Sequence, residues 1–90
     1  MACIVTSATA GTLESSDVFV ELRPAQGIEI ELDSVVKKQF GDSICASVKE
    51  VLEEQHITDA HVHLIDRGAL DCVIRARVET AIQRGRGKEV

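Results

Sequence analysis

The fold is decided by residues 28–55, IEIELDSVVKKQFGDSICASVKEVLEEQ. Ile28, Ile30 and Leu32 alternate with acidic residues at the start of this stretch. A period of two places the apolar side chains on one face, which is typical of a half-buried strand. We therefore predict a strand over the first part of the stretch.

The second part of the stretch predicts a long helix. Asp33 or Ser34 can cap its start, and the helix should run to about Gln55. Gly41 lies inside it at a cost of roughly 1 kcal/mol relative to alanine and marks a position for a kink. Apolar residues recur every fourth position and form a single stripe, at Val36, Phe40, Ile44, Val48 and Leu52.

Further strands flank this unit. Residues 18–23 alternate as a strand and end at the turn Pro24–Gly27, which predicts a hairpin between the first two strands. On the other side, residues 60–65 (AHVHLI) predict a third strand followed by a tight turn at Asp66–Ala69.

The stretch Asp71–Val78 fits two patterns, because its apolar residues have both helical and alternating spacing. We favour a fourth strand there, then a short helix over Glu79–Arg84 that stops at Gly85.

Residues 1–16 are mostly small or hydroxylated and predict a mobile arm. The expected fold is a single α+β domain over residues 1–90. Its antiparallel sheet of three to four strands, in the order ββαββα, packs against one long helix, with a short C-terminal helix.

Composition narrows the classes of partner. Aromatic residues are 2% of the 90 residues, so stacking platforms for nucleic acid are missing and nucleic acid is not an expected ligand. The net charge is −5, with an acidic body and a basic C-terminal part from residue 67 onward. An acidic surface favours basic proteins over membranes, and Glu14 and Asp17 are candidate contacts.

Three cysteines without a CxxC pair indicate a reducing compartment, and no stretch predicts a signal peptide or a membrane span. We therefore expect a cytoplasmic protein.

Cys45 and Cys72 lie on or beside apolar faces and are interpreted as inert small side chains. His56, His61 and His63 lack the ligands that would complete a metal site, so we interpret them as solvent-facing or partner-facing residues. No set of residues predicts catalysis.

Three separated segments carry a resemblance to a known family. They are residues 10–18 (AGTLESSDV), 38–42 (KQFGD) and 66–79 (DRGALDCVIRARVE). Together they resemble the acyl carrier protein, or gamma subunit, of citrate lyase. The resemblance implies that Ser15 carries 2'-(5''-phosphoribosyl)-3'-dephospho-coenzyme A through a phosphodiester. Ser16 is disfavoured, because that family also places glycine at this position.

The resemblance also implies the role and the partners. The chain would be a non-catalytic subunit that carries acetyl and citryl thioesters during cleavage of citrate to acetate and oxaloacetate. Its partners would be the alpha (transferase) and beta (lyase) subunits, a prosthetic-group transferase and an acetylating ligase. Two alternatives remain: the carrier subunit of malonate decarboxylase, whose serine lies in a Gly-Ser-Gly-Asp context, and a small ligand-binding module that uses the strand histidines.

Overall fold

The computed structural model describes residues 4–86, which form four strands and two helices. Cys3, one of the three cysteines counted above, lies outside the described residues. The α+β class is confirmed. In chain order the elements are β1 (Ala8–Gly11), β2 (Val18–Arg23), β3 (Ile28–Ser34), α1 (Lys37–Glu54), β4 (Ala60–Asp66) and α2 (Asp71–Gly85).

The sheet is mixed, with the strand order β1-β2-β4-β3. β2 runs antiparallel to β1 and β4, whereas β3 runs parallel to β4. The prediction of an antiparallel sheet with a β2–β3 hairpin is therefore wrong, because β4 lies between these two strands. The most apolar strand takes the central position: Ala60, Val62 and Leu64 of β4 have no exposed surface, and neighbours on both edges complete its hydrogen bonds.

The turn between β2 and β3 reaches across the end of β4. The Gly27 amide donates to the Asp59 carboxylate at 2.8 Å, and the Gly27 carbonyl accepts from the Ala60 amide at 2.9 Å. Because β3 and β4 are parallel, the chain must cross from one to the other, and α1 makes that crossover.

Both helices cover the same face of the sheet. α2 packs on β1, β2 and α1, and α1 packs on β3. The core between these two layers is aliphatic, as the low aromatic content requires, and its largest fully buried side chains include Val18, Val20, Leu22, Val48, Leu52, Leu64, Ile74, Val78 and Ile82. The other face of the sheet has no helix over it within residues 4–86.

Within residues 1–16, which the sequence predicts as a mobile arm, residues 8–11 form a strand of the sheet. β1 pairs with β2 from Ala8 opposite Leu22 to Gly11 opposite Phe19, and Ile4 is buried. Alanine and glycine have low strand propensity, so no pattern of residues predicted β1. Its stability comes from pairing with β2 and from contact with α2.

The strand favoured over residues 71–78 is also wrong, because α2 is one continuous helix that includes this stretch and the predicted short helix. A strand would place Cys72 and Ala76 on the buried face with Ile74, but both are exposed. The buried residues instead follow helical spacing, at Ile74, Val78, Ala81, Ile82 and Gly85.

The long helix α1 begins later than predicted and continues through Gly41. Ser34 lies in β3, and no side chain caps the first turn of α1. Instead the Ser34 hydroxyl accepts from the Val36 amide at 3.1 Å and donates to the Asp66 carboxylate at 2.7 Å. Ser34 therefore joins the end of β3 to the end of β4 rather than starting the helix.

Candidate functional site

The candidate attachment residue Ser15 lies in the loop Thr12–Asp17, which we call the serine loop and which joins β1 to β2. The Asp17 amide donates to the Glu14 carbonyl at 3.2 Å and closes a four-residue turn. Ser16 has a φ of 65°, the left-handed value that the third position of a type II turn requires. Ser15 itself is exposed, and its hydroxyl makes no hydrogen bond within residues 4–86.

The serine loop leaves β1 at a position that only glycine can occupy. Gly11 has a φ of 88°, and a Cβ atom on it would overlap the backbone oxygen of Val18. Both a left-handed backbone and a close approach of two chains exclude any side chain there. Gly11 therefore sets the direction in which the loop presents Ser15.

Asp17 holds the other end of the loop. Its carboxylate accepts from the Thr12 hydroxyl at 2.7 Å and from the Val18 amide at 2.7 Å. Arg77 of α2 donates to both carboxylate oxygens, at 3.2 and 3.1 Å. The hydrogen bond from Thr12 is the largest cause that lowers the pKa of Asp17 to about 2, followed by the Val18 amide, with Arg77 adding to them. This carboxylate is ionised at neutral pH and ties the loop to α2.

The residue after β4 also supports the serine loop. The Arg67 carbonyl accepts from the Ser16 amide at 2.9 Å, and the Arg67 amide donates to the Asp17 carbonyl at 2.9 Å. These two bonds extend the β2–β4 ladder by one residue beyond its last pair, Val18 opposite Asp66. The Arg67 side chain is exposed, and its guanidinium has no hydrogen bond or ion pair within the described part of the chain.

A buried carboxylate shapes the connection from β4 to α2. Asp66 is 1% exposed. Besides the Ser34 hydroxyl, it accepts from the amides of Gly68 and Ala69 at 3.2 and 2.9 Å. These bonds fold residues 67–70 over the start of α2, where Leu70 precedes the helix.

The three sequence segments that carry the family resemblance meet at this end of the molecule. Residues 10–18 form the serine loop and its flanks, and they contact residues 66–79 through the Arg67 and Arg77 bonds described above. Residues 38–42 lie in the first turns of α1, where Phe40 lines a groove of about 310 Å³ together with Gly68, Ala69 and Leu70. The fold thus brings the segment that contains Ser15 into contact with residues 66–79, and residues 38–42 share a groove with residues 68–71.

The histidines lie elsewhere. His61 is buried, contrary to the expectation of a solvent-facing residue. Its Nε2 lies 2.7 Å from the Glu31 carboxylate, and its Nδ1 lies 3.1 Å from the Arg23 guanidinium. The neutral tautomer with hydrogen on Nε2 satisfies both contacts, since Arg23 then donates to Nδ1. Within residues 4–86 no group of three or more His, Cys, Asp or Glu side chains is placed to hold a metal ion.

The described cysteines are both free. Cys45 is half-buried on α1, in keeping with a small packed side chain. Cys72 is exposed, which corrects its assignment to an apolar face, because a helix turns residue 72 away from Ile74. No helix within residues 4–86 is long and apolar enough to cross a bilayer.

Comparison with known proteins assigns the family. Residues 5–85 match the profile of the acyl carrier protein (ACP) family described as "Malonate decarboxylase delta subunit (MdcD)". The chain is 51% identical over 83 residues to the citrate lyase acyl carrier protein of Latilactobacillus sakei, covering 91% of this chain and 82% of the relative. It is 56% identical over 77 residues to that of Haemophilus influenzae strain PittEE, covering 86% and 81%. The chain belongs to the family of citrate lyase acyl carrier proteins.

A solved structure shares the fold of this acyl carrier. A chain in the crystal structure of a Pseudomonas malonate decarboxylase hetero-tetramer in complex with malonate superposes with a TM-score of 0.78 at 20% identity, covering 93% of this chain and 91% of that one. The two chains therefore share one fold. Members of this family are carrier subunits rather than catalytic ones.

The family motif predicts Ser15 as the attachment serine, but the sequence does not predict the residues that hold its loop. Gly11, Asp17, Arg67 and Arg77 lie inside the motif segments, yet nothing in their spacing shows that they contact one another. The expected glycine at position 16 in the family agrees with the positive φ of Ser16, since glycine adopts that conformation without strain.

Proposed function

We propose that this protein is the acyl carrier subunit of a citrate lyase complex and that Ser15 bears its prosthetic group. The contact of the serine loop with residues 66–79, beside the exposed and unbonded Ser15 hydroxyl, carries the proposal. Sequence identity of about 50% to citrate lyase acyl carrier proteins, over most of the chain, supports it.

The proposed group is 2'-(5''-phosphoribosyl)-3'-dephospho-coenzyme A, joined to Ser15 by a phosphodiester. Two features of the site fit such a group. The Ser15 hydroxyl is accessible to a modifying enzyme. The Arg67 guanidinium is exposed beside the loop without a partner in residues 4–86, so a cation is available to a phosphodiester anion. When bound, the group supplies a terminal thiol that carries acyl groups as thioesters.

The chain itself contributes a fixed attachment point for the tethered group. Gly11, Asp17 and Arg67 fix the base of the serine loop on the sheet and on α2, so Ser15 is a firm anchor for a long flexible arm. A tether of this kind raises the effective concentration of the carried group at each active site that it reaches. The acid–base chemistry of citrate cleavage then belongs to the partners. The proposed partners are the alpha (transferase) and beta (lyase) subunits, with the prosthetic-group transferase and the acetylating ligase acting earlier.

The carrier subunit of malonate decarboxylase is the second candidate. The family description and the shared fold with a malonate decarboxylase chain favour it. At 20% identity, however, that likeness supports the fold alone, whereas the citrate lyase relatives exceed 50% identity. The local sequence Glu14-Ser15-Ser16-Asp17 also departs from the Gly-Ser-Gly-Asp context expected for that carrier.

Intact mass tests the proposal. The wild-type chain, Ser15→Ala and Ser16→Gly are each produced together with the prosthetic-group transferase of citrate lyase. We expect a coenzyme-sized adduct on wild type and on Ser16→Gly, and none on Ser15→Ala, because only Ser15 supplies the acceptor hydroxyl. Ser16→Gly is the matched control, since glycine suits the φ of 65° at that position. An adduct on Ser15→Ala would contradict the site, and modification only by the malonate decarboxylase transferase would favour the second candidate.

A further inference from the structure

Exposed apolar side chains are concentrated at the end of the molecule that carries Ser15. Leu13, Val35, Phe40 and Leu70 are 54, 66, 54 and 71% exposed. They are four of the six large hydrophobic residues that are exposed within residues 4–86. We call these four side chains the apolar rim. Soluble proteins rarely leave such residues clustered in water unless another surface covers them.

Backbone contacts place the members of the rim together. Leu13 lies in the serine loop, which is bonded to Arg67, and Leu70 follows three residues later. The Val35 amide donates to the Asp66 carbonyl at 3.3 Å, so the turn after β3 lies beside the end of β4. Phe40 and Leu70 line opposite walls of the groove of about 310 Å³ between the first turns of α1 and α2.

The floor of that groove is apolar. Val36, Ile44, Ala69 and Ile74 line it, and Asp71 at its edge is already bound to the Ser47 hydroxyl and to Arg75 at 2.8 Å. The groove therefore offers little to a charged ligand and suits an apolar side chain that inserts between Phe40 and Leu70.

The charges at this end do not select an acidic or a basic partner. Among the exposed charged side chains at this end that make no ion pair, three acids, Glu14, Asp33 and Asp42, are balanced by three bases, Lys37, Lys38 and Arg67. Asp17, a candidate contact for a basic partner, has a side chain only 14% exposed and is bound to Thr12 and Arg77. It is therefore occupied within the chain, which corrects that expectation.

From these observations we infer that the apolar rim is the docking surface for the catalytic subunits that act on the group at Ser15. The inference rests on the proposed function. The rim lies beside the base of the tether, so a catalytic subunit that docks on it has the arm next to its active-site entrance. Docking through the rim is driven by apolar burial and depends weakly on salt, because no charged pair dominates it.

The test uses the unmodified carrier, so that the arm makes no contribution to binding. Binding of wild type, Phe40→Gln and Leu70→Gln to the assembled alpha and beta subunits of citrate lyase is measured by calorimetry at low and high salt. Val5→Gln is the matched control: Val5 is 64% exposed, and its amide bonds to Gly85 at the far end of α2, about 22 Å from Leu70 along that helix.

We expect each rim variant to bind at least about tenfold more weakly than wild type, as for central apolar contacts in interfaces. Val5→Gln should bind within about twofold of wild type. Raising the salt concentration should change the affinity of wild type by a smaller factor than the rim substitutions change it. Unchanged melting temperatures verify that the variants fold. If wild type binds and neither rim substitution weakens the binding, the inference is wrong but the proposed function stands. The same holds if Val5→Gln weakens the binding as much as the rim substitutions do. Failure of wild type to bind these subunits contradicts the proposed function as well.

Discussion

At the scale of single residues, the serine loop depends on Asp17, whose carboxylate accepts four hydrogen bonds. One comes from a hydroxyl, one from a backbone amide and two from the guanidinium of a residue 60 positions later in the chain. Its neighbour Ser15 has none of these contacts. The reactive hydroxyl and the structural carboxylate are therefore two residues apart but have opposite environments.

Replacing Asp17 with Asn should lower the free energy of unfolding by about 1 to 2 kcal/mol at pH 7, because the folded state holds the pKa of Asp17 at about 2, below its ordinary value of 3.8. A lowered pKa stabilises the fold fully above the ordinary value, and this stabilisation disappears as the pH falls through the folded value. The difference between wild type and Asp17→Asn should therefore shrink between pH 4 and pH 2. Urea unfolding across this range measures it.

Asp42→Asn serves as the control for that series, since Asp42 is exposed and makes no hydrogen bond or ion pair within residues 4–86. It should leave the unfolding free energy within about 0.5 kcal/mol of wild type. A constant difference between wild type and Asp17→Asn at every pH would mean that the charge of Asp17 contributes nothing to stability.

At the scale of elements, the β1–β2 connection requires glycine for two reasons that can be separated by mutation. Gly11 and Gly27 both have positive φ, 88° and 74°, but only at Gly11 does an added Cβ meet another atom. Gly27→Ala should cost about 1 kcal/mol, the strain of the backbone alone. Gly11→Ala should cost at least about 2 kcal/mol more, because β1 must move away from Val18. Equal losses in chemical denaturation would show that the close approach is unimportant.

The same elements show how far the sequence could predict the fold. Strong periodicity predicted β2, β3, α1 and β4 within a few residues of their observed bounds. β1 was missed because Ala8–Gly11 has no pattern of its own and becomes a strand only beside β2. The first half of α2 was misassigned because Ile74 and Val78 fit both periods, and only packing against β2 and α1 selects the helix.

The order of the strands and the residues that hold the serine loop were harder to predict, since both depend on contacts between residues distant in sequence. Nothing in residues 18–34 shows that β4 will enter between β2 and β3. The motif predicts Ser15 as the attachment residue, but the pairing of Asp17 with Arg77 could be seen only in the fold. Local patterns therefore predicted the elements, and long-range packing determined their arrangement.

At the scale of the whole molecule, the structure divides the N-terminal region into a paired strand and a loop. Alternate amides of Ala8–Gly11 donate to β2, and the Ser16 amide donates to Arg67, but the amides of Leu13 and Ser15 have no acceptor within residues 4–86. In the unmodified protein, amide hydrogen exchange should be fast at Leu13 and Ser15 and slower at Ser16 and at the paired amides of β1.

Exchange at β1 as fast as at Leu13 would restore the prediction of a wholly mobile arm over residues 1–16. Protection of Leu13 and Ser15 equal to that of Val62 in the central strand β4 would contradict the fast exchange expected for these two amides. Either result is read residue by residue from a single two-dimensional NMR exchange series.

The strand order also decides how the sheet meets other copies of itself. β3 is an edge strand seven residues long, and a long edge with free backbone groups can recruit a strand from another molecule. Every second residue of β3 is an exposed acid, at Glu29, Glu31 and Asp33. Two copies joining through this edge would bring like charges side by side, which opposes pairing. The alternation that forms the strand thus also protects the carrier from aggregation at its longest open edge.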